Sequence, residues 1–271
     1  MTDDASAPRS EAVSKIDTSV PHSARIWNYW LGGTDNYEVD RAAGDAYREA
    51  FPGIVDVACG SRRFLARSVR HLALDAGLRQ FLDVGTGLPT ADNTHQIAQR
   101  VAPDSRVVYV DNDPLVLMHS RALLTSTPEG ATEFLEGDLR RPEEILSAAS
   151  GTLDLTRPVG LILSGILGHI PTYEEARAIV RRLMDGLPSG SYLSLNEGTD
   201  TEEAYVRAQQ AYNESGAIPY RLRSMAEIAG YFDGLELEEP GVVQVPCWRP
   251  DEATIGGPAD VGQAGGVARK P

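Results

Sequence analysis

Lysine is nearly missing from this chain of 271 residues: it stands only at Lys15 and Lys270, and arginine supplies the rest of the 25 basic residues. Against 39 acidic residues this leaves a formal net charge of −14, a field that repels nucleic acid and anionic membrane surfaces. A nucleic-acid substrate is therefore disfavoured. Cysteine is almost as scarce. Cys59 and Cys247 are too few and too isolated for a disulfide framework or a cysteine-based zinc site, so reduced buried thiols and no metal site are expected. No apolar run approaches the ~20 residues of a membrane span. The opening MTDDASAPRSEAVSKIDTS lacks the basic-then-apolar pattern of a secretory signal, which favours a cytoplasmic location and a disordered leader over residues 1–20.

From residue 81 onward, short β-branched runs alternate with helical periods, the pattern of βαβ units and a parallel sheet. FLDVG is the first strand, RVVYVD (106–111) the second, TEFLEGD (132–138) the third, VGLILSGI (159–166) the fourth and SYLSLNEG (191–198) the fifth. Between them the segments TADNTHQIAQRVA and PLVLMHSRALL read as helices, the latter with Asp113 as N-cap and Pro114 at its first position. Thr172 with Glu175, and Ser224 with Glu227, spell capping boxes before two later helices, and a further helix is expected near 200–214. LELEEPGVVQVPCW and GGVARK read as two final strands, the first irregular or at an edge because of Pro240 and Pro246. PDEATIGGPADVGQAGG between them reads as a loop.

Residues 21–79 differ in kind, with three helical stretches and no convincing strand: SARIWNYWL, VDRAAGDAYREAF and SRRFLARSVRHLALDAG. They read as a helical lid or cap ahead of a domain over 80–271. In the third stretch Phe64, Leu65, Val69, Leu72 and Ala76 form the apolar stripe, leaving Arg62, Arg63, Arg67 and Arg70 on a solvated face or a partner surface. Gly32 and Gly33 are either a helix stop or a hinge. Tyr29, Trp30, Asn36 and Tyr37 flank them as candidate lid and substrate contacts; Trp27 and Trp30 also suit the core of a small helical subdomain.

The turn after the first strand carries the ligand argument. A dinucleotide site needs helix N-terminal N–H groups on its pyrophosphate and a G-x-G-x-x-G spacing. This turn is G-T-G-L-P-T. Pro89 brings no N–H, and Asp83 sets a carboxylate where a phosphate would lie. Both features suit a phosphate-free, cationic adenosyl ligand, S-adenosylmethionine. Asp111, ending the second strand, can accept from both ribose hydroxyls, and Asp138 at the third strand tip from the adenine amino group, with the Leu139 backbone at a ring nitrogen. Asp83, Gly85, Thr86, Gly87, Asp111, Asn112, Asp138, Leu139 and Ser164 are the candidate cofactor residues.

DVGTG, YVDNDP and the GDLR turn resemble the class I methyltransferases. PHSARIWNYWLGGTDNYEVDRAAGDA, RQFLDVGTGLPTADNTHQIAQ, RVVYVDNDP and the closing GGVARKP narrow the resemblance to an actinobacterial S-adenosylmethionine-dependent methyltransferase family, over about residues 21–271. The resemblance implies a Rossmann-like α/β fold, a seven-stranded, mostly parallel sheet of order 3-2-1-4-5-7-6 with its last strand antiparallel. It implies the methionine end of the cofactor at Asp83, Gly85 and Gly87, the ribose at Asp111 and the adenine at Asp138 and Leu139. It names no acceptor.

Methyl transfer from a sulfonium needs alignment above all, and a base only where the acceptor atom must lose a proton. His169, after the fourth strand, is the candidate base, with a structural hydrogen-bonding role as the other reading. A small-molecule acceptor is expected. Two further readings stay open: a regulator that binds the cofactor without turnover, and an NAD-dependent oxidoreductase.

Overall fold

Parallel strands need crossovers of a dozen or more residues between them, which the helical runs supply. The computed structural model describes residues 17–89, 92–123, 125–251 and 260–271 and contains one eight-stranded sheet. Its elements in chain order begin with three helices, α1 (Ser23–Trp30), α2 (Glu38–Ala50) and α3 (Ile54–Leu74). The alternating part follows as β1 (Gln80–Val84), α4 (Thr94–Val101), β2 (Arg106–Asp111), α5 (Pro114–Leu123), β3 (Ala131–Glu136), α6 (Pro142–Ala149) and β4 (Gly160–Ser164). Then come α7 (Tyr173–Asp185), β5 (Tyr192–Gly198), α8 (Glu203–Asn213), α9 (Met225–Gly230), β6 (Glu236–Leu237), β7 (Val243–Gln244) and β8 (Gln263–Arg269).

β1 to β5 are parallel and β8 runs antiparallel to β5, giving the order β3-β2-β1-β4-β5-β8-β6. This is the expected order, with β7 as an additional short partner of β8. The single strand expected over LELEEPGVVQVPCW is instead two two-residue strands and a 3-10 turn, Val245–Cys247. Pro240 and Pro246 bring no N–H to a ladder, so pairing stops beside each. The leader before residue 17, the helix start at Thr90 and Ala91, and residues 252–259 of the loop expected before β8 lie outside the described residues, while residues 263–266, expected in that loop, belong to β8.

Side-chain alternation along β1 and β2 sets the two faces of the sheet. Leu82, Val84, Val108 and Val110 pack with Ile145 of α6 and Leu183 of α7 on one face. Phe81, Val107 and Tyr109 pack with Phe64 and Leu72 of α3 and Ile97 of α4 on the other. Full burial of each such side chain contributes about 1.5–3 kcal/mol. The same alternation puts Asp83 on the Phe81 face, between α3 and α4.

A separate core holds the first helices together: Ile26, Trp30, Tyr47, Ile54, Tyr205 and Tyr212 meet there, from α1, α2, the start of α3 and α8. Inside it Arg25 forms an ion pair with Asp40, at 2.9 Å and almost fully buried, while its other guanidinium nitrogens reach the carbonyls of Asp17 and Val20. Residues 17–20 are thus tied to α1 rather than loose. Most of α3 packs in the sheet's helix layer.

α3 starts at Ile54, not near Ser61. Gly60 lies within this helix, and a Cβ there would come within 3.1 Å of Val261, so close packing accounts for a glycine at that position. Both sides of α3 are covered, which also corrects the solvated arginine face. Arg67 is buried and donates to the carbonyls of Trp248 and Val245, at 2.9 and 2.6 Å. Arg62 turns toward Asp83, and only Arg63 and Arg70 are exposed.

Candidate functional site

In open α/β sheets the crevice outside the carboxyl ends of the strands is where ligands bind, since loops there diverge from a fixed scaffold. A cavity of about 260 Å³ lies at that edge, walled by the segments following β1, β2, β3 and β4 and closed over by α1 and α8. Asp83, Gly85, Thr86, Gly87, Asp111 and Asn112 all line it. So do Asp138, Leu139, Ser164, His169 and Trp30.

The turn after β1 is shaped for close approach but holds few free donors. Gly85 has φ +78° and Gly87 φ +63°, values that favour glycine. The Gly85 N–H donates to the Val110 carbonyl at 2.8 Å and the Gly87 N–H to Asp111 Oδ2 at 3.0 Å. Those are the N–H groups a pyrophosphate would need, and both are taken up by the protein itself. A Cβ on Gly85 would lie 2.3 Å from Ile166, whereas one on Gly87 meets nothing within 4 Å. Gly85→Ala is therefore expected to destabilise the protein more than Gly87→Ala, by about 1–3 kcal/mol in urea denaturation.

Asp83 is buried and accepts from the Thr94 hydroxyl at 2.6 Å. Burial pushes its carboxyl up to about 6, opposed by the Thr94 hydrogen bond and the nearby Arg62 guanidinium and supported by the Asp111 charge. Asp111 is half-buried; burial raises its carboxyl too, while N–H donors from Asp113 and Gly87 favour the ionised form. Each Asp111 oxygen keeps a lone pair beyond those bonds. Asp138 is more open and accepts the Arg140 N–H at 2.9 Å. The three acids stand at neighbouring strand tips in the order of the sheet and line one cavity.

His169 closes the 3-10 turn Leu167–His169 after β4. Its Nδ1 lies 2.9 Å from the Pro219 carbonyl. A carbonyl only accepts, so Nδ1 carries the proton and Nε2 keeps its lone pair. Burial lowers the imidazole's proton affinity, and the neighbouring His22 and Arg140 act the same way against the Pro219 bond. These surroundings favour the neutral imidazole, which is set in the cavity wall.

Three of the expected lid contacts lie off this wall. Tyr29 donates to Asp45 at 2.8 Å, Asn36 donates to Asn28 and to the Gly33 carbonyl, and Tyr37 lies under the Arg25 guanidinium at the start of α2. Each is taken by the packing of α1 against α2. Gly32, at φ +78°, ends α1, and a Cβ on Gly33 would strike Asn28, in keeping with the helix-stop reading. What sequence reasoning missed are Trp27, Tyr47, Tyr205, Tyr212 and Tyr220, which join Trp30 to line the cavity. Ser61 of α3 was missed too; its Oγ is 3.2 Å from Ser164 and accepts from Asn196 at 3.0 Å.

This arrangement has counterparts among known proteins. The family model for S-adenosyl methyltransferases matches residues 9–271. The chain belongs to that family. Its enzyme class is S-adenosylmethionine-dependent methyltransferase and its cofactor S-adenosyl-L-methionine, which removes the NAD alternative. A DUF574 family protein of Streptomyces avermitilis is 49% identical, with a TM-score of 0.90 over 95% of this chain and 100% of that one. A candidate methyltransferase of Thermobifida fusca is 39% identical, with a TM-score of 0.86 over 94% and 96% of the two chains. Both sources are actinobacteria, as the resemblance implied. A carboxy-S-adenosyl-L-methionine synthase of Chromohalobacter salexigens is 25% identical over 196 residues, spanning 70% of this chain and 65% of that protein. No helix among the described residues is long and apolar enough to cross a membrane.

Proposed function

We propose that this methyltransferase modifies a small acceptor with an apolar or aromatic body, at an oxygen or nitrogen that must give up a proton. The observation that carries this reading is the placement of His169, a neutral imidazole on a wall shared by the acidic strand tips and the aromatic side chains. Asp83 suits the cofactor's ammonium, Arg62 its carboxylate, Asp111 the ribose diol and Asp138 the adenine amino group. The bound cofactor supplies an already activated methyl group.

The chain's own residues then align and deprotonate. Transfer to the acceptor's lone pair would leave the cofactor's sulfur neutral, and the proton the acceptor gives up would pass to His169 Nε2 and from there to water. Trp30, Tyr47 and Gln209 have their polar groups satisfied internally, Trp30 on the Gly44 carbonyl and Tyr47 on Gln209, so the rings offer the acceptor apolar surface. α1, α2 and α8 act as the cap that excludes water, a role that moves α8 into the cap and leaves most of α3 to the sheet. The net charge of −14 argues against a nucleic-acid acceptor. Cys59 is half-buried and Cys247 exposed, so neither is the buried thiol the sequence suggested, and free thiols at both support a cytoplasmic location.

His169→Asn is expected to lower methyl transfer by about 10²- to 10⁴-fold, the usual contribution of a positioned base, with S-adenosylhomocysteine affinity unchanged. The assay is labelled-methyl transfer from S-adenosylmethionine into the small-molecule fraction of a cell extract. Label entering only protein or RNA would sink the small-acceptor reading. Tight S-adenosylhomocysteine binding with no labelled product in any fraction would favour a regulator that binds without turnover.

A further inference from the structure

We infer that Glu197, a buried carboxylate outside the cavity lining, is the positioning residue that fixes the orientation of His169. The inference rests on His169 serving as the base in the proposed methyl transfer. Glu197 is the penultimate residue of β5 and is completely buried. Its Oε1 accepts the Leu167 N–H at 2.7 Å, and its Oε2 accepts the Gly168 N–H at 3.2 Å and the Tyr220 hydroxyl. Leu167 and Gly168 are the first two residues of the turn that ends in His169.

The other side of His169 is held by residues 219–221. Pro219 accepts the Nδ1 proton, the Arg221 N–H donates to the Gly168 carbonyl at 2.8 Å, and the Tyr220 ring meets the imidazole edge-on at 5.2 Å between centroids. That ring also packs so tightly on Gly168 that a Cβ there would lie 2.3 Å away. Both halves of the clamp therefore end on one carboxylate: the turn through its two N–H groups, the 219–221 segment through the Tyr220 hydroxyl. Arg223 adds a third tie, donating to the Ile170 carbonyl at 2.8 Å from beside Glu197.

A carboxylate accepts three such bonds without conflict, since all its sites are acceptors. Protonation spends one of those sites on an O–H, which then competes with a donor already in place. The groups facing Glu197 are Tyr220, Tyr205 of α8, Tyr231 after α9 and Arg223; His22 and Arg140 face His169 itself. Burial pushes the Glu197 carboxyl up to about 7, against the pull of its three donors and Arg223. The clamp is therefore charged and complete above neutrality and loosens below it.

The test reads His169 directly, using the full chain labelled with ¹⁵N-histidine and long-range ¹H–¹⁵N spectra from pH 5.5 to 8.5. The His169 signals are assigned by their loss in His169→Asn. In the unmodified protein the Nδ1–H tautomer is expected to dominate, with a second inflection near pH 7 from Glu197. In Glu197→Gln the amide NH₂ opposes the Gly168 N–H or the Tyr220 hydroxyl. The tautomer ratio should fall about tenfold, roughly the ratio one hydrogen bond commands, and the inflection should disappear. Tyr220→Phe keeps the carboxylate and cuts only its link to 219–221; it should shift the ratio in the same direction by less, and it decides the matter if Glu197→Gln does not fold. Unchanged His169 tautomer and pH response in folded Glu197→Gln, or in Tyr220→Phe where that variant decides, overturns the inference. S-adenosylhomocysteine binding, measured separately by calorimetry, should be unchanged in the variants. Its absence from the unmodified protein would overturn the methyl-transfer reading while leaving the coupling of Glu197 to His169 intact.

Discussion

Replacing Asp111 by alanine is expected to weaken S-adenosylhomocysteine binding by about 10²- to 10⁴-fold, the cost of two hydrogen bonds to a charged acceptor at about 1.5–3 kcal/mol each. Each oxygen of this carboxylate already holds one backbone N–H, from Asp113 at 2.9 Å and from Gly87 at 3.0 Å. Those bonds fix its direction before the ligand arrives, so little of the binding energy goes to ordering it. Alanine also frees the Gly87 N–H and with it the second half of the turn. Asp111→Asn, keeping one acceptor oxygen, should fall between. Asp138→Ala should cost less than about tenfold, because its exposed carboxylate is already shared with the Arg140 backbone and keeps only part of its strength. Isothermal titration calorimetry decides the point: a dissociation constant within about threefold of the unmodified protein for Asp111→Ala would remove Asp111 from the ribose site.

The second large effect concerns stability and has the opposite sign to its effect on binding. Asp83 is raised to about 6 in the folded protein by burial, against about 3.9 in an unfolded chain. A raised carboxyl favours the fold below its unfolded value, and that contribution is lost as pH rises through the folded value. Asp83→Asn does not titrate, so its stability relative to the unmodified protein should increase between pH 4 and pH 7 by about 2 kcal/mol. His95, lowered to about 4 by burial, gives a slope of opposite sign, and Glu197 one of the same sign. Both are present in the two proteins, so the difference isolates Asp83. Urea denaturation across that range provides the measurement, and a flat difference from pH 4 to pH 8 would mean that the carboxyl is not desolvated as the structure places it. The same variant should bind S-adenosylhomocysteine more weakly at pH 8, where the unmodified Asp83 is charged toward the cofactor's ammonium. The protein thus retains a buried charge at a cost to its own stability, as functional sites commonly do.

Some of this site was legible because it is local. The acids at residues 83, 111 and 138 each end a strand whose period-two pattern is plain. Parallel strands joined by helices bring successive tips side by side, so three distant carboxylates could be placed on one rim without coordinates. The caps at Asp113, Thr172 and Ser224 were legible for the same reason, since an N-cap satisfies donors two or three residues ahead, and the structure has all three. His169 was visible as a polar residue after a buried strand. Its tautomer was not, because the partner that sets it, Pro219, lies 50 residues further along.

The errors share one cause. The helical period of α3 showed a single apolar stripe, and its arginines were assigned to water, but a helix covered on two sides has a second buried face that periodicity does not reveal. Arg62 and Ser61 reached the site, and Arg67 the carbonyls of residues 245 and 248, through contacts made far along the chain. Tyr29, Asn36 and Tyr37 erred the other way: their residue types suited a lid, yet their partners on α1 and α2 had already claimed them. The sequence by itself determined the strands, the acidic rim and the absence of a pyrophosphate seat at G-T-G-L-P-T, because propensity, period and backbone chemistry are carried within a few residues; the order of the strands in the sheet came from the family resemblance. Only the tertiary structure decided that α8 helps close the cavity, that His169 presents Nε2, and that Glu197 holds it there, because those facts depend on which distant groups are packed dry against one another.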